Sequence, residues 1–186
     1  MGVTANVYLI KQSDKIGELD FEMVLTRLGV QTQIDKSGIS YEKVCSEFWE
    51  RNAESLLGLA YYKEHFIVKD DLCLIDSSHF EAFTHDFHTS ILQVENSDIV
   101  QVSNFSYYDN GQMIRRKSIG NDHWIEEMQE SGLEVPEGAG DWDEGEALEI
   151  EKNGSNAFEV MKTYGIDYFE LYELEWELRL IMEQAK

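Results

Sequence analysis

Ile99-Val-Gln-Val-Ser-Asn-Phe-Ser-Tyr-Tyr108 and Gln112-Met-Ile-Arg-Arg-Lys-Ser-Ile119 are two runs rich in β-branched and aromatic residues, and Asn110-Gly111 lies between them. Asn-Gly favours a two-residue type I′ turn, because that turn needs positive φ at both central residues. The stretch therefore predicts a β-hairpin, with Tyr108 facing Met113 and Asp109 facing Gln112. Strict alternation then puts Phe105, Tyr107, Ile114 and Arg116 on one face. Val102, Tyr108, Met113, Arg115, Lys117 and Ile119 fall on the other. Neither face is purely apolar, so both are expected to be partly covered.

Upstream of the hairpin, Val3–Ile10 alternates as a strand. Asp20 reads as an N-cap for a helix carrying Phe21, Val24, Leu25 and Leu28, with Gly29 as its stop. Residues 31–38 are polar and turn-like. Ser40 caps a second helix, expected over Tyr41–Leu57 and ended by Gly58. Leu59–Val68 predicts a strand, residues 69–71 a turn, and Leu72–Ile75 a short returning strand. Ser78-x-x-Glu81 has the form of a capping box for a third helix bearing Phe80, Phe83, Phe87 and Ile91.

Downstream, residues 124–128 suggest a helical turn, 130–145 a loop, 146–151 a short strand and 156–164 a helix. The C-terminal stretch has two readings. Leu171, Leu174, Leu178 and Ile181 recur at helical spacing, and the residue types favour helix. Glu173–Leu180 nevertheless alternates strictly, as a strand does. Together these elements predict a single α+β domain over residues 1–186. Its sheet is expected to be mainly antiparallel, with a central β-hairpin and helices packed on one face.

The charge is the extreme feature. Fifteen basic and thirty-seven acidic residues leave a net charge of −22. Such a chain repels nucleic acid and anionic membranes and attracts basic proteins or cations. The run Arg115-Arg116-Lys117 is too short to oppose this and is expected to pair internally. No leader peptide and no apolar run of membrane-spanning length are evident. Cys45 and Cys73 are isolated and read as thiols of a reducing compartment, so a cytoplasmic location is expected.

The acidity is concentrated in residues 121–151, a loop-rich segment with twelve acids and no Lys or Arg. Trp142 stands amid Asp141, Asp143, Glu144 and Glu146, and Trp124 stands beside Glu126 and Glu127. An aromatic anchor within a carboxylate rim suits capture of a basic protein, since the ring supplies buried area and the acids supply steering. The same tryptophans also fit a core role, pinning a long loop. Asp141-Trp-Asp143-Glu144-Gly145 spaces carboxylates as a Ca²⁺ loop does, but Gly145 takes the fifth position, where a further ligand belongs.

A second constellation is Glu81, His85 and His88. Helical steps of about 100° gather them on one flank of the third helix, where two imidazoles and a carboxylate suit a divalent metal. The spacing matches no zinc-peptidase signature, and Glu81 is also accounted for as a capping acid. No nucleophile motif or phosphate-binding loop is present.

Two functions follow as expectations. The first is a non-enzymatic protein-binding domain that engages a basic partner through residues 121–151 and needs no cofactor. The alternative is a metal-dependent hydrolase at Glu81, His85 and His88. A small, acidic, motif-free composition resembles that of bacterial immunity proteins, and the resemblance implies a basic protein partner. It is one of composition and carries no residue motif.

Overall fold

The computed structural model describes residues 4–13, 20–52, 55–97, 102–119, 142–145, 160–162 and 164–182. Among them, nine strands form one antiparallel sheet. These are β1 (Thr4–Lys11), β2 (Thr32–Ile39), β3 (Leu56–Tyr62), β4 (His65–Lys69), β5 (Ser90–Ser97), β6 (Val102–Asp109), β7 (Gln112–Ile119), β8 (Trp142–Gly145) and β9 (Trp176–Ile181). The α-helices described from end to end are α1 (Phe21–Arg27), α2 (Tyr41–Glu50) and α3 (Phe80–Phe87). The strand order is β2-β9-β3-β4-β1-β5-β6-β7-β8. The class is mixed α+β, dominated by sheet.

The middle strand is β1, which pairs with β4 on one side and β5 on the other. Its residues alternate between two separate cores. Val7 and Leu9 join a cluster with Tyr41, Val44 and Phe48 of α2. Tyr8 and Ile10 join a second cluster with Val24 and Leu25 of α1 and Phe80 and Phe83 of α3. Helices thus cover both faces of the sheet, where one covered face was expected. Both faces of the central strands are apolar because each meets a helix, a pattern that alternation alone does not distinguish.

The hairpin forms, with Asn110 at φ 47° and Gly111 at φ 86°. Its strands β6 and β7 are, however, the seventh and eighth in the sheet, near one edge rather than central. Tyr108 faces Met113, as the turn requires, but Tyr107 faces Arg115. Ile114 is therefore the extra residue of a β-bulge, and every later residue of β7 changes face. Arg115 and Lys117 lie opposite Tyr107 and Phe105, while Arg116 lies opposite Ser106.

The first helix begins as expected, with the Asp20 carboxylate accepting from Met23 N. The second is shorter than expected. It ends at Glu50, and the chain turns at Asn52 and Ser55, both with positive φ. Leu56 and Leu57 then bury on opposite faces of the sheet as the start of β3. Gly58 is no helix stop. A Cβ there would sit 2.9 Å from Val44 Cγ1, so the missing side chain lets α2 settle onto the sheet.

Other expectations are also corrected. Residues 32–38 of the polar stretch belong to β2, an edge strand among the described residues, whose exposure explains its lack of apolar alternation. The expected strand Leu59–Val68 is two strands joined at Lys63-Glu64, with Lys63 in the left-handed region. Residues 72–75 form no strand; the Asp70 carboxylate instead accepts from Leu74 N and Ile75 N. Asp76, not Ser78, caps the turn that leads into α3. Ile91 belongs to β5.

At the C-terminus, Asp167 and Glu170 form a reciprocal capping box for a 3-10 turn over Tyr168–Glu173. The chain then enters β9 between β2 and β3, burying Trp176 and Leu178. Neighbouring strands on both sides override the intrinsic helix preference. Residues 160–162 are helical. The expectations for 124–128 and 146–151 lie outside the described residues. No helix among the described residues is long and apolar enough to cross a membrane.

Candidate functional site

Of the acidic partner-binding residues, Trp124, Asp141 and Glu146 lie outside the described residues. Trp142, Asp143 and Glu144 occupy β8, so part of the expected loop is an edge strand. Its register sets Trp142 opposite Ser118, Asp143 opposite Lys117 and Glu144 opposite Arg116. Acid positions thus face base positions across the strand pair, which favours this alignment over a slipped one. Glu144 is exposed.

Two features hold β8 in place. Arg115 is 1% exposed, and its Nη1 donates to the carbonyls of Glu144 and Gly145, each at 3.1 Å. Gly145 has φ 91°, and a Cβ there would lie 2.2 Å from the Ile114 carbonyl oxygen. The bulge at Ile114 and the glycine at position 145 therefore meet. The bulge brings Arg115 under β8, and the glycine lets the strand approach.

Glu81, His85 and His88 are each exposed on or after α3. His88 leaves the helix as its C-cap with φ 49°, so it does not continue the 100° steps that gathered the three. His85 Nδ1 lies 3.3 Å from Asp86 Oδ1. Among the described residues, no three His, Cys, Asp or Glu side chains converge to hold a metal ion.

A site with no sequence forewarning opens at one end of the sheet. Antiparallel pairing brings the C-terminal ends of β1 and β6 beside the N-terminal ends of β4 and β5. There a cleft of about 460 Å³ forms between Lys11, Glu64, His65, Ser90, Asp109 and Tyr164. The volume falls in the range of small-molecule sites. Its walls are tied together by hydrogen bonds to main-chain carbonyls. Gln12 N donates to the Glu64 carbonyl at 2.6 Å, the Thr89 hydroxyl donates to the Lys11 carbonyl, and Asn110 N donates to the Thr89 carbonyl at 3.3 Å.

Tyr107 and Tyr164 stand side by side in this cleft, ring centroids 5.4 Å apart. Burial pushes the Tyr164 phenol well above its ordinary range, and the neighbouring Tyr107 and Asp109 add to the shift. His65 is 3% exposed, and its Nδ1 has no hydrogen-bond partner among the described residues. Burial pulls its pKa below the ordinary imidazole value, Glu64 works against that, and Lys11 and Lys63 add to it. These residues come from five separated stretches, so no local spacing announces them. The one hint is a histidine opening the apolar run His65-Phe-Ile-Val68.

No protein-family model, curated protein or solved structure matches this chain.

Proposed function

We propose that this is a non-enzymatic binding protein whose acidic segment, residues 121–151, captures a basic protein partner. The observation that carries the reading is a segment of twelve acids with no Lys or Arg of its own, interleaved with Trp124 and Trp142, in a chain of net charge −22. The position of β8 supports it. Among the described residues Trp142–Gly145 is the last strand of the sheet, and an edge strand presents main-chain donors and acceptors to an incoming chain. Carboxylates steer the encounter, and the aromatic residues supply the desolvated contact.

The test is capture from native lysate at low salt and at ~0.3 M salt, where screening is shorter. One basic protein should be recovered in stoichiometric amount and released as salt rises. Replacing Asp141, Asp143, Glu144 and Glu146 together by their amides should abolish its capture while the circular dichroism spectrum is retained. Capture that survives the fourfold replacement sinks the proposal.

A further inference from the structure

We propose that the cleft at the ends of β1, β4, β5 and β6 is a binding site for a small primary amine. Its ammonium group would sit against the Asp109 carboxylate, between the carboxylate and the rings of Tyr107 and Tyr164. The inference is independent of the acidic segment, whose described residues Trp142–Gly145 form β8 and do not line the cleft.

The charges of the cleft decide the class of ligand. Its lining carries one ammonium, Lys11, which lies 4.0 Å from the Glu64 carboxylate and is offset by it. With the lining imidazoles of His65 and His88 neutral, Asp109 is the remaining formal charge. Among the described residues it accepts a hydrogen bond from Asn110 Nδ2 at 3.2 Å and forms no ion pair. A carboxylate without a cation, in a molecule of net charge −22, sits in a potential that draws cations and expels anions.

The walls favour an organic cation over a metal ion. Tyr107 and Tyr164 present aromatic rings, whose faces attract an ammonium group. Glu64, His65, His88 and Asp109 all line the cleft, but among the described residues no three His, Cys, Asp or Glu side chains converge to hold a metal ion. A primary ammonium has three donors, and the carboxylate and phenol oxygens accept them. The cleft is also larger than a bare ion needs, leaving room for an alkyl chain beside the buried, neutral-leaning imidazole of His65.

The probe is n-butylammonium chloride, titrated into the isotopically labelled full chain and followed by amide chemical shifts at ~0.15 M salt, where exposed charges are largely screened. Saturable shifts are expected at Thr89, Ser90, Asp109 and Tyr164. Asp109→Asn should weaken binding about tenfold, as loss of a close charge pair does. Glu42→Gln, exposed on α2, should leave it unchanged. n-Butanol, of the same shape without the charge, should not saturate; that comparison uses the unaltered protein and does not depend on any variant folding. Shifts scattered over the acidic surface, equal weakening by Asp109→Asn and Glu42→Gln, equal binding of the alcohol, or no saturable shift at all would each overturn the proposal.

Discussion

Lys69 shows how a single residue in β4 is held by chemistry that its position alone would forbid. It is 1% exposed and lies over the rings of Tyr41 and Phe48 at 5.8 and 5.1 Å. Its Nζ donates to both oxygens of Asp71, at 2.5 and 2.7 Å. An ammonium in such a place is tolerated because a carboxylate and two aromatic faces replace its water. Removing one partner of a buried pair leaves the other charge uncompensated. Lys69→Met should therefore cost about 3 kcal/mol, the low end for such pairs because Asp71 keeps some contact with solvent. The double variant Lys69→Met with Asp71→Asn should recover part of that loss in urea denaturation. Strictly additive losses would mean that the two residues are not energetically coupled.

Edge strand β2 depends on a tie to the helix that follows it. Glu47 of α2 receives Lys36 of β2 at 2.5 Å and Lys43 of its own helix at 2.9 Å, with Arg51 at 3.8 Å. The hydrogen bond from Lys36, then that from Lys43, lowers the Glu47 pKa from 4.5 to about 2. A carboxyl group more acidic in the folded state than in the unfolded one stabilises the fold above its unfolded pKa. That contribution is lost as pH falls from 4.5 towards 2. An acid titration of thermal stability should accordingly fall less steeply through this window in Glu47→Gln than in the unaltered protein. Hydrogen exchange should show β2 as the element released first. Identical acid profiles would show that the Lys36–Glu47 contact contributes nothing to stability. The opposite edge is tied in addition by the buried Arg115 and by Gly145, contacts that involve no carboxylate.

For the molecule as a whole, a net charge of −22 acts against compactness, because like charges are closer together folded than unfolded. Raising salt from low ionic strength to ~0.3 M should raise the melting temperature by screening that repulsion. A fall would mean that surface ion pairs such as Arg51–Asp35 outweigh it. Much of the architecture was legible beforehand where the deciding interactions are local. Asp20 and Ser40 accept from the amides three residues on, and Asn110-Gly111 adopts the turn that its positive φ angles permit. These outcomes need only a side chain and its near neighbours. The acidity and its clustering are likewise properties of the sequence alone. Tertiary structure decided the rest. It made strands of residues 32–39 and 176–181, because each is set by pairing with strands distant in the chain. It reversed the faces of Arg115, Arg116 and Lys117 through a one-residue bulge. It also assembled the cleft from Lys11, Glu64, His65, Asp109 and Tyr164, residues that adjoin only because antiparallel pairing returns strand ends to one place. Caps and turns are written within a few residues, whereas faces, edges and clefts depend on which distant strands become neighbours.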